Sequence, residues 1–316
     1  MKGLLKTKSA GMQFLLLISI ALFSFFILGL AGTLILSAVT GIPVLELSDM
    51  SKLNFDKPGV ITFIRGMQVV QFISLFVVPV FIAAWLFSTD TKKYLGLTAP
   101  KNIEYFIAGT AVLLVSLPLV NLLGELNRNV QFPSVIEKWM KSSEDEAAKT
   151  VKALLSRNTV KDLLLNIFCI AGLAAVGEEL LFRGIAQRLL IKMFKNPWAG
   201  IIVTAILFSA MHMQFYGFLP RFILGVLLGV IYWYSGNLWT AIAAHFVYDA
   251  SLIVLAYFNP GMLADESNVK FSNLALMGSV SFVLVVFIIA WMKKKSTVSY
   301  TEVYADDEIS VKDHPF

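Results

Sequence analysis

The sequence predicts an all-α fold, a polytopic transmembrane helical bundle of about eight spans, and three observations carry that prediction. Hydrophobic residues make up 57% of the chain and charged residues only 15%, a balance too apolar for a soluble globular protein of 316 residues. The apolar residues fall in runs of about 20 or more, the length that crosses a bilayer as a helix. Lysines and arginines gather in alternate short loops, the pattern that fixes the orientation of a membrane protein.

The first apolar run, from about Gly11 to Val39, follows Lys2, Lys6 and Lys8. It is far longer than the roughly 7–15 apolar residues of a secretory signal, so it reads as an uncleaved first span after a cytoplasmic N-terminus, residues 1–10. Further spans are expected near 59–87, 103–124, 161–193, 198–215, 217–235, 238–258 and 274–292. Little more than Tyr216-Gly217 separates the short fifth and sixth, and Ser235-Gly236-Asn237 marks a tight turn between the sixth and seventh. Residues 11–124 thus hold three spans, 161–258 a core of four, and 259–292 an outer loop with the last span. Trp85, Trp198, Trp239 and Trp291 fall near run ends, where interfacial anchors belong.

Lys92, Lys93 and Lys101, then Arg188, Lys192 and Lys195, then Lys293, Lys294 and Lys295 share the side of the N-terminal lysines. The positive-inside rule puts that side and both termini in the cytoplasm. The 40–58 loop, with Glu46, Asp49 and Asp56, and the 259–273 loop, with Asp265 and Glu266, then lie outside. Residues 125–160 form the one large extramembrane stretch, read as one or two amphipathic helices on the outer surface. They serve either as a lid or substrate guide or as a surface helix covering the bundle, and the plain cover is preferred. Thr159-Val160-Lys161-Asp162 fits a helix-start cap, and Pro79 and Pro118 mark kinks. The cytoplasmic tail, residues 293–316, is polar and acidic from Ser296 onward and is expected to be disordered.

The net charge of +5 sits mostly in short loops and speaks for membrane orientation, with no basic-aromatic stripe for nucleic acid. Membrane lipid is the expected surrounding. A single cysteine, Cys169, excludes an intrachain disulfide and a cysteine-based zinc knuckle. No Gly-rich phosphate loop and no clear internal repeat is present.

Chemistry concentrates in Gly177-Glu178-Glu179-Leu180-Leu181-Phe182-Arg183-Gly184, inside the fourth span. An ionisable group near the bilayer centre costs on the order of 3 kcal/mol, so by default it faces a protein interior or a wet cavity and signals function. Residues four apart share a helical face, so Arg183 pairs with Glu179 while Glu178 points about 100° away, free for acid–base work. Gly172, Gly177 and Gly184 flank the stretch and allow neighbouring helices to approach closely. Two of the three histidines, His212 and His245, also fall in spans. Phe208 precedes His212 by four residues and Asp249 follows His245 by four, so each pair shares a face. Helix rise puts Glu178 and His212 at about 20 Å from the cytoplasmic ends and His245 at about 10 Å, which permits a common site from mid-membrane to the cytoplasmic half. Arg65, Gln68 and Gln71 share one side of the second span, where they either line the cavity or, for Arg65, snorkel outward.

Glu178-Glu179-x-x-x-Arg183, Phe208-x-x-x-His212 and His245-x-x-x-Asp249, in that order on successive apolar helices, resemble the three motifs of the CPBP family. That family comprises the CAAX-prenyl-protease and bacteriocin-processing intramembrane proteases. The resemblance covers roughly residues 160–255, and Lys93-Tyr94-Leu95-Gly96-Leu97 is similar to a segment many bacterial members carry ahead of that core. It implies an integral protein of the bacterial plasma membrane, a site open to the membrane interior and cytoplasmic face, and a peptide or membrane-protein substrate.

By resemblance, Glu178 with His212 would position and deprotonate a water, His245 and Asp249 would address the oxyanion, and Glu179 and Arg183 would support them. An ionised Asp249 cannot donate to an oxyanion, so it must be protonated, orient His245 or ligate a metal. Glu178, His212, His245 and Asp249 could hold Zn²⁺. The same four suit a metal-free glutamate–histidine mechanism, which is preferred because no His-Glu-x-x-His spacing speaks for zinc. A non-catalytic membrane scaffold of the same fold and, behind it, a proton-coupled transporter are the alternatives. Substrate identity, prenyl dependence and oligomeric state are not written in the sequence.

Overall fold

Several helices begin or end at a capping residue that the sequence supplies. The computed structural model describes residues 2–44, 46, 54–55, 57–100, 102–263, 270–300 and 303–304. Helix α1, Ala10–Thr40, starts at Ser9, whose hydroxyl accepts from the Met12 amide, and stops at Gly41 with φ 71°. The next two spans, α2 (Gly59–Phe87) and α3 (Glu104–Arg128), are followed by the surface helix α4 (Ser134–Leu155). The long α5 (Val160–Phe194) leads into α6 (Pro197–Met211), which opens on Asn196, whose side chain accepts from the Trp198 and Ala199 amides. Then come α7 (Phe218–Ser235), α8 (Leu238–Phe258), capped by Asn237, and α9 (Phe271–Lys295).

Seven of these helices are long and apolar enough to cross a membrane, and α6 is a shorter apolar helix beside them. The chain is an integral membrane protein, an all-α polytopic bundle of about eight spans. Asp49, Asp56, Asp265 and Glu266, expected outside, lie beyond the described residues.

Both prolines mark breaks. A π-helical run, Phe72–Val77, precedes Pro79 in α2, and at Ser116, two residues before Pro118, α3 is interrupted while the Ser116 hydroxyl donates to the Leu113 carbonyl at 2.7 Å. Further π-helical runs, Ile167–Gly172 and Leu180–Gln187, interrupt α5. Such bulges recur at functional sites, because the wider turn re-aims the side chains that follow. Period counting at 3.6 residues per turn could not anticipate them.

One end of the bundle gathers Lys6, Lys93 and Arg188 around a cavity of about 550 Å³ that Tyr94, Tyr232 and Tyr304 also line. The Leu95–Thr98 strip serves the α7–α8 turn there: the Gly96 carbonyl accepts from the Leu238 amide at 2.9 Å, and the Thr98 carbonyl from Asn237 Nδ2 at 2.8 Å. Tail disorder was expected from Ser296 onward, and this is corrected at one point. Tyr304 is only 2% exposed, its hydroxyl donates to the Arg188 carbonyl at 2.7 Å, and its ring lies 5.0 Å from the Arg188 guanidinium. Average composition hides a single aromatic anchor that finds a cation.

At the opposite end, α4 rests against the start of α5, the 215–217 turn and α8, with Met140 and Leu154 buried and most of its other residues wet. Trp139 packs on Phe215 with ring centroids 5.4 Å apart. Arg65 neither lines the site nor snorkels. Its Nη2 bonds Asp162 Oδ1 and Asn166 Oδ1, each at 2.9 Å, and so clamps α2 to α5. Gln68 is partly buried and Gln71 is exposed.

Candidate active site

The adjacent glutamates of α5 go to different places. Glu179 is fully buried, whereas the Glu178 side chain retains 14% exposure. Arg183 Nη1 donates to Glu179 Oε1 at 2.7 Å, and its Nη2 donates to the Gly225 carbonyl of α7 at 2.9 Å. Two charges removed from water hold one another and one backbone dipole, the arrangement that makes such burial tolerable. Phe208 of α6 supplies the other wall: the Arg183 guanidinium lies 4.7 Å from its ring centroid.

The same Glu179 oxygen has a second donor that the sequence did not announce. His245 Nδ1 lies 2.9 Å from Glu179 Oε1, so Nδ1–H donates and Nε2 is turned the other way. His245 Nε2 then faces Asp249 Oδ2 at 3.3 Å and Glu178 Oε2 at 4.0 Å. His212 is oriented similarly. Its Nδ1 is 2.9 Å from the Phe208 carbonyl, an acceptor only, so Nδ1 carries the proton and Nε2 presents a lone pair to Glu178 Oε1 at 3.9 Å.

All seven residues singled out in the sequence therefore converge: Glu178, Glu179, Arg183, Phe208, His212, His245 and Asp249. The Phe208 ring stands edge-on between the two imidazoles, 5.1 Å from His212 and 6.4 Å from His245. Counting left His245 about 10 Å shallower than its partners, at 1.5 Å per residue. Part of that gap is closed by the Leu180–Gln187 π-helical run, which coils more residues into each turn and draws Glu178 toward the lysine-rich end.

Of the three flanking glycines only Gly177 is required by close approach. A Cβ there would sit 2.8 Å from the Phe76 ring, whereas at Gly184 and Gly172 it would make ordinary contacts of 3.5 Å. The more demanding pair is Gly225-x-x-x-Gly229 on α7, which sequence reading passed over. Arg183 reaches the Gly225 carbonyl, and the fully buried Gln187 donates to the Gly229 carbonyl at 3.1 Å. A Cβ at Gly229 would be 2.7 Å from Gln187 Oε1. Small residues four apart in α7, beside polar residues four apart in α5, were the available signal.

The donor set has the chemistry of a zinc site, with two imidazole nitrogens and two carboxylates. Its placement differs: among the described residues no group of three His, Cys, Asp or Glu side chains could hold one ion.

A family model for the Rce1-like type II CAAX prenyl endopeptidases matches residues 160–251. The matched stretch contains every residue of the site just described, from Glu178 to Asp249. The uncharacterized protein YpbD of Bacillus subtilis (strain 168) is 28% identical over 119 residues, 36% of this chain and 56% of YpbD. This chain thus spans about half the length of the curated relative it matches. No solved structure matches it.

Proposed function

We propose that the chain is an intramembrane endopeptidase in which Glu178 activates a water molecule to hydrolyse a peptide bond of a membrane-associated protein or peptide. One observation carries this reading. Glu178 lies 3.9 Å from His212 Nε2 and 4.0 Å from His245 Nε2, too far for direct hydrogen bonds and suited to a water between them. The similarity of residues 160–251 to the Rce1-like family model supports the same reaction class.

The mechanism follows from the proton inventory. The Glu178 carboxylate takes a proton from the water while the His212 Nε2 lone pair accepts from its other hydrogen, and the hydroxide attacks the carbonyl carbon. The proton on Glu178 then passes to the leaving amine. With Nδ1–H on Glu179, the imidazolium form of His245 carries a second proton on Nε2 that can donate to the developing oxyanion, and Asp249, 3.3 Å from Nε2, orients the ring. Glu179, paired with Arg183, fixes the His245 ring through Nδ1. No step uses a metal.

We place the lysine-rich end and both termini in the cytoplasm by the charge rule of the loops. Membrane proteins and peptides from cells carrying wild type or Glu178→Gln test the function. Species that accumulate uncut only with Glu178→Gln are expected. Identical profiles would favour the non-catalytic scaffold. Metal analysis beside a chelator assay tests the water-only mechanism, which stoichiometric zinc with chelator-sensitive activity would overturn.

A further inference from the structure

The turn between α6 and α7 is irregular backbone that begins at His212. Helix α6 has 15 residues, Pro197–Met211, about 22 Å at 1.5 Å per residue, short of the roughly 30 Å hydrocarbon core. The backbone of the turn that follows holds one conformation only where other groups satisfy its N–H and C=O.

Side chains do so here. Arg221, one turn into α7, donates through Nη1 to Gln214 Oε1 at 2.8 Å and through Nη2 to the Gln214 carbonyl. Asn127 of α3 donates to the Phe215 carbonyl at 2.7 Å and accepts from the Leu219 amide at 3.1 Å. The Ser209 hydroxyl donates to the Phe218 carbonyl at 2.7 Å. Space is reserved for the guanidinium, since a Cβ on Gly217 would lie 2.6 Å from Arg221 Nη2. The turn also holds Met213 at φ 55°, a left-handed conformation uncommon for a residue with a side chain. Arg221 is the only Lys, Arg, Asp or Glu between residues 196 and 248, and such a charge in a span is expensive unless it has work.

His212 is the first residue of this turn, and its own amide reaches the Ser209 carbonyl at 3.3 Å, outside the regular helical ladder. We propose that Arg221 and Asn127 are positioning residues for His212. By bridging the Gln214–Leu219 backbone they hold the turn in one conformation and keep His212 Nε2 aimed at Glu178. Neither residue touches the reacting atoms. The inference rests on the reading of Glu178 and His212 as the water-activating pair.

The test uses the full chain in lipid nanodiscs with ¹⁵N-labelled histidine, the His212 signals assigned by their loss in His212→Gln. Wild type is expected to show one His212 ring environment, protonated on Nδ1. In Arg221→Met and Asn127→Leu that signal splits or changes tautomer, while the His245 signals stay put; Arg221→Lys, which keeps one donor, recovers part of the wild-type spectrum. Gln214→Ala, which removes only a side-chain acceptor, is the milder variant should Arg221→Met fail to fold, and it gives a smaller change of the same kind. In a peptidase assay, Arg221→Met lowers kcat by about 10²-fold, the scale of a 1 Å misplacement, with KM within roughly threefold. An unchanged His212 signal in folded Asn127→Leu and Gln214→Ala overturns the proposal. Inactive wild type with the expected spectral changes would sink the peptidase reading and leave the positioning intact.

Discussion

Arg183 and Arg65 each bond a carboxylate of α5, yet they serve that helix in different ways. Arg183 and Glu179 are fully buried at its middle, out of reach of water. Arg65 and Asp162 keep side-chain exposures of 13% and 17% near its start. The buried pair cannot be broken without stranding a charge, and it also fixes His245 through the shared Glu179 oxygen. The outer pair can hand its lost bonds to water. Depth, more than charge, decides which ion pair is structural clamp and which is part of the site.

The largest effect expected from this contrast is in Arg183→Ala, which leaves Glu179 unpaired and should cost about 3–5 kcal/mol. Thermal unfolding in nanodiscs checks it; a midpoint equal to wild type would contradict the pairing. Next is Gly177→Ala, whose methyl meets the Phe76 ring at 2.8 Å and should cost about 1–3 kcal/mol of overpacking. Gly184→Ala is its control, since its methyl makes ordinary contacts, and stability should hold or rise by up to about 1 kcal/mol. Arg65→Met should cost about 1–2 kcal/mol and leave the activity of the folded fraction unchanged. If that activity collapsed instead, the outer pair would belong to the site after all. Trp139→Ala, losing the Phe215 contact, should cost only about 0.5–1.5 kcal/mol beyond lost burial.

The spans were legible because apolar run length and loop charge are local, and the site was legible because its three motifs each sit on one helical face. Contacts between distant residues were not. Nothing near His245 announces that Nδ1 bonds a glutamate 66 positions earlier, and Arg65 gives no sign of a partner 97 positions later. The π-helical runs follow from tertiary packing that overrides a 3.6 period. Tyr304 was lost in the average of an acidic tail, and Arg221 was passed over because it stands alone in its span. Lone charges and lone aromatics carry information that windowed composition removes.

Glu178 is, on this reading, the base that activates water. Its most direct test is peptide-bond hydrolysis by purified wild type and Glu178→Gln in nanodiscs, on a substrate found by comparing membranes from cells carrying the two. The variant should fold and span the membrane as wild type does, with kcat lower by at least about 10²-fold, the usual worth of a general base. Cleavage by Glu178→Gln at the wild-type rate would contradict the account.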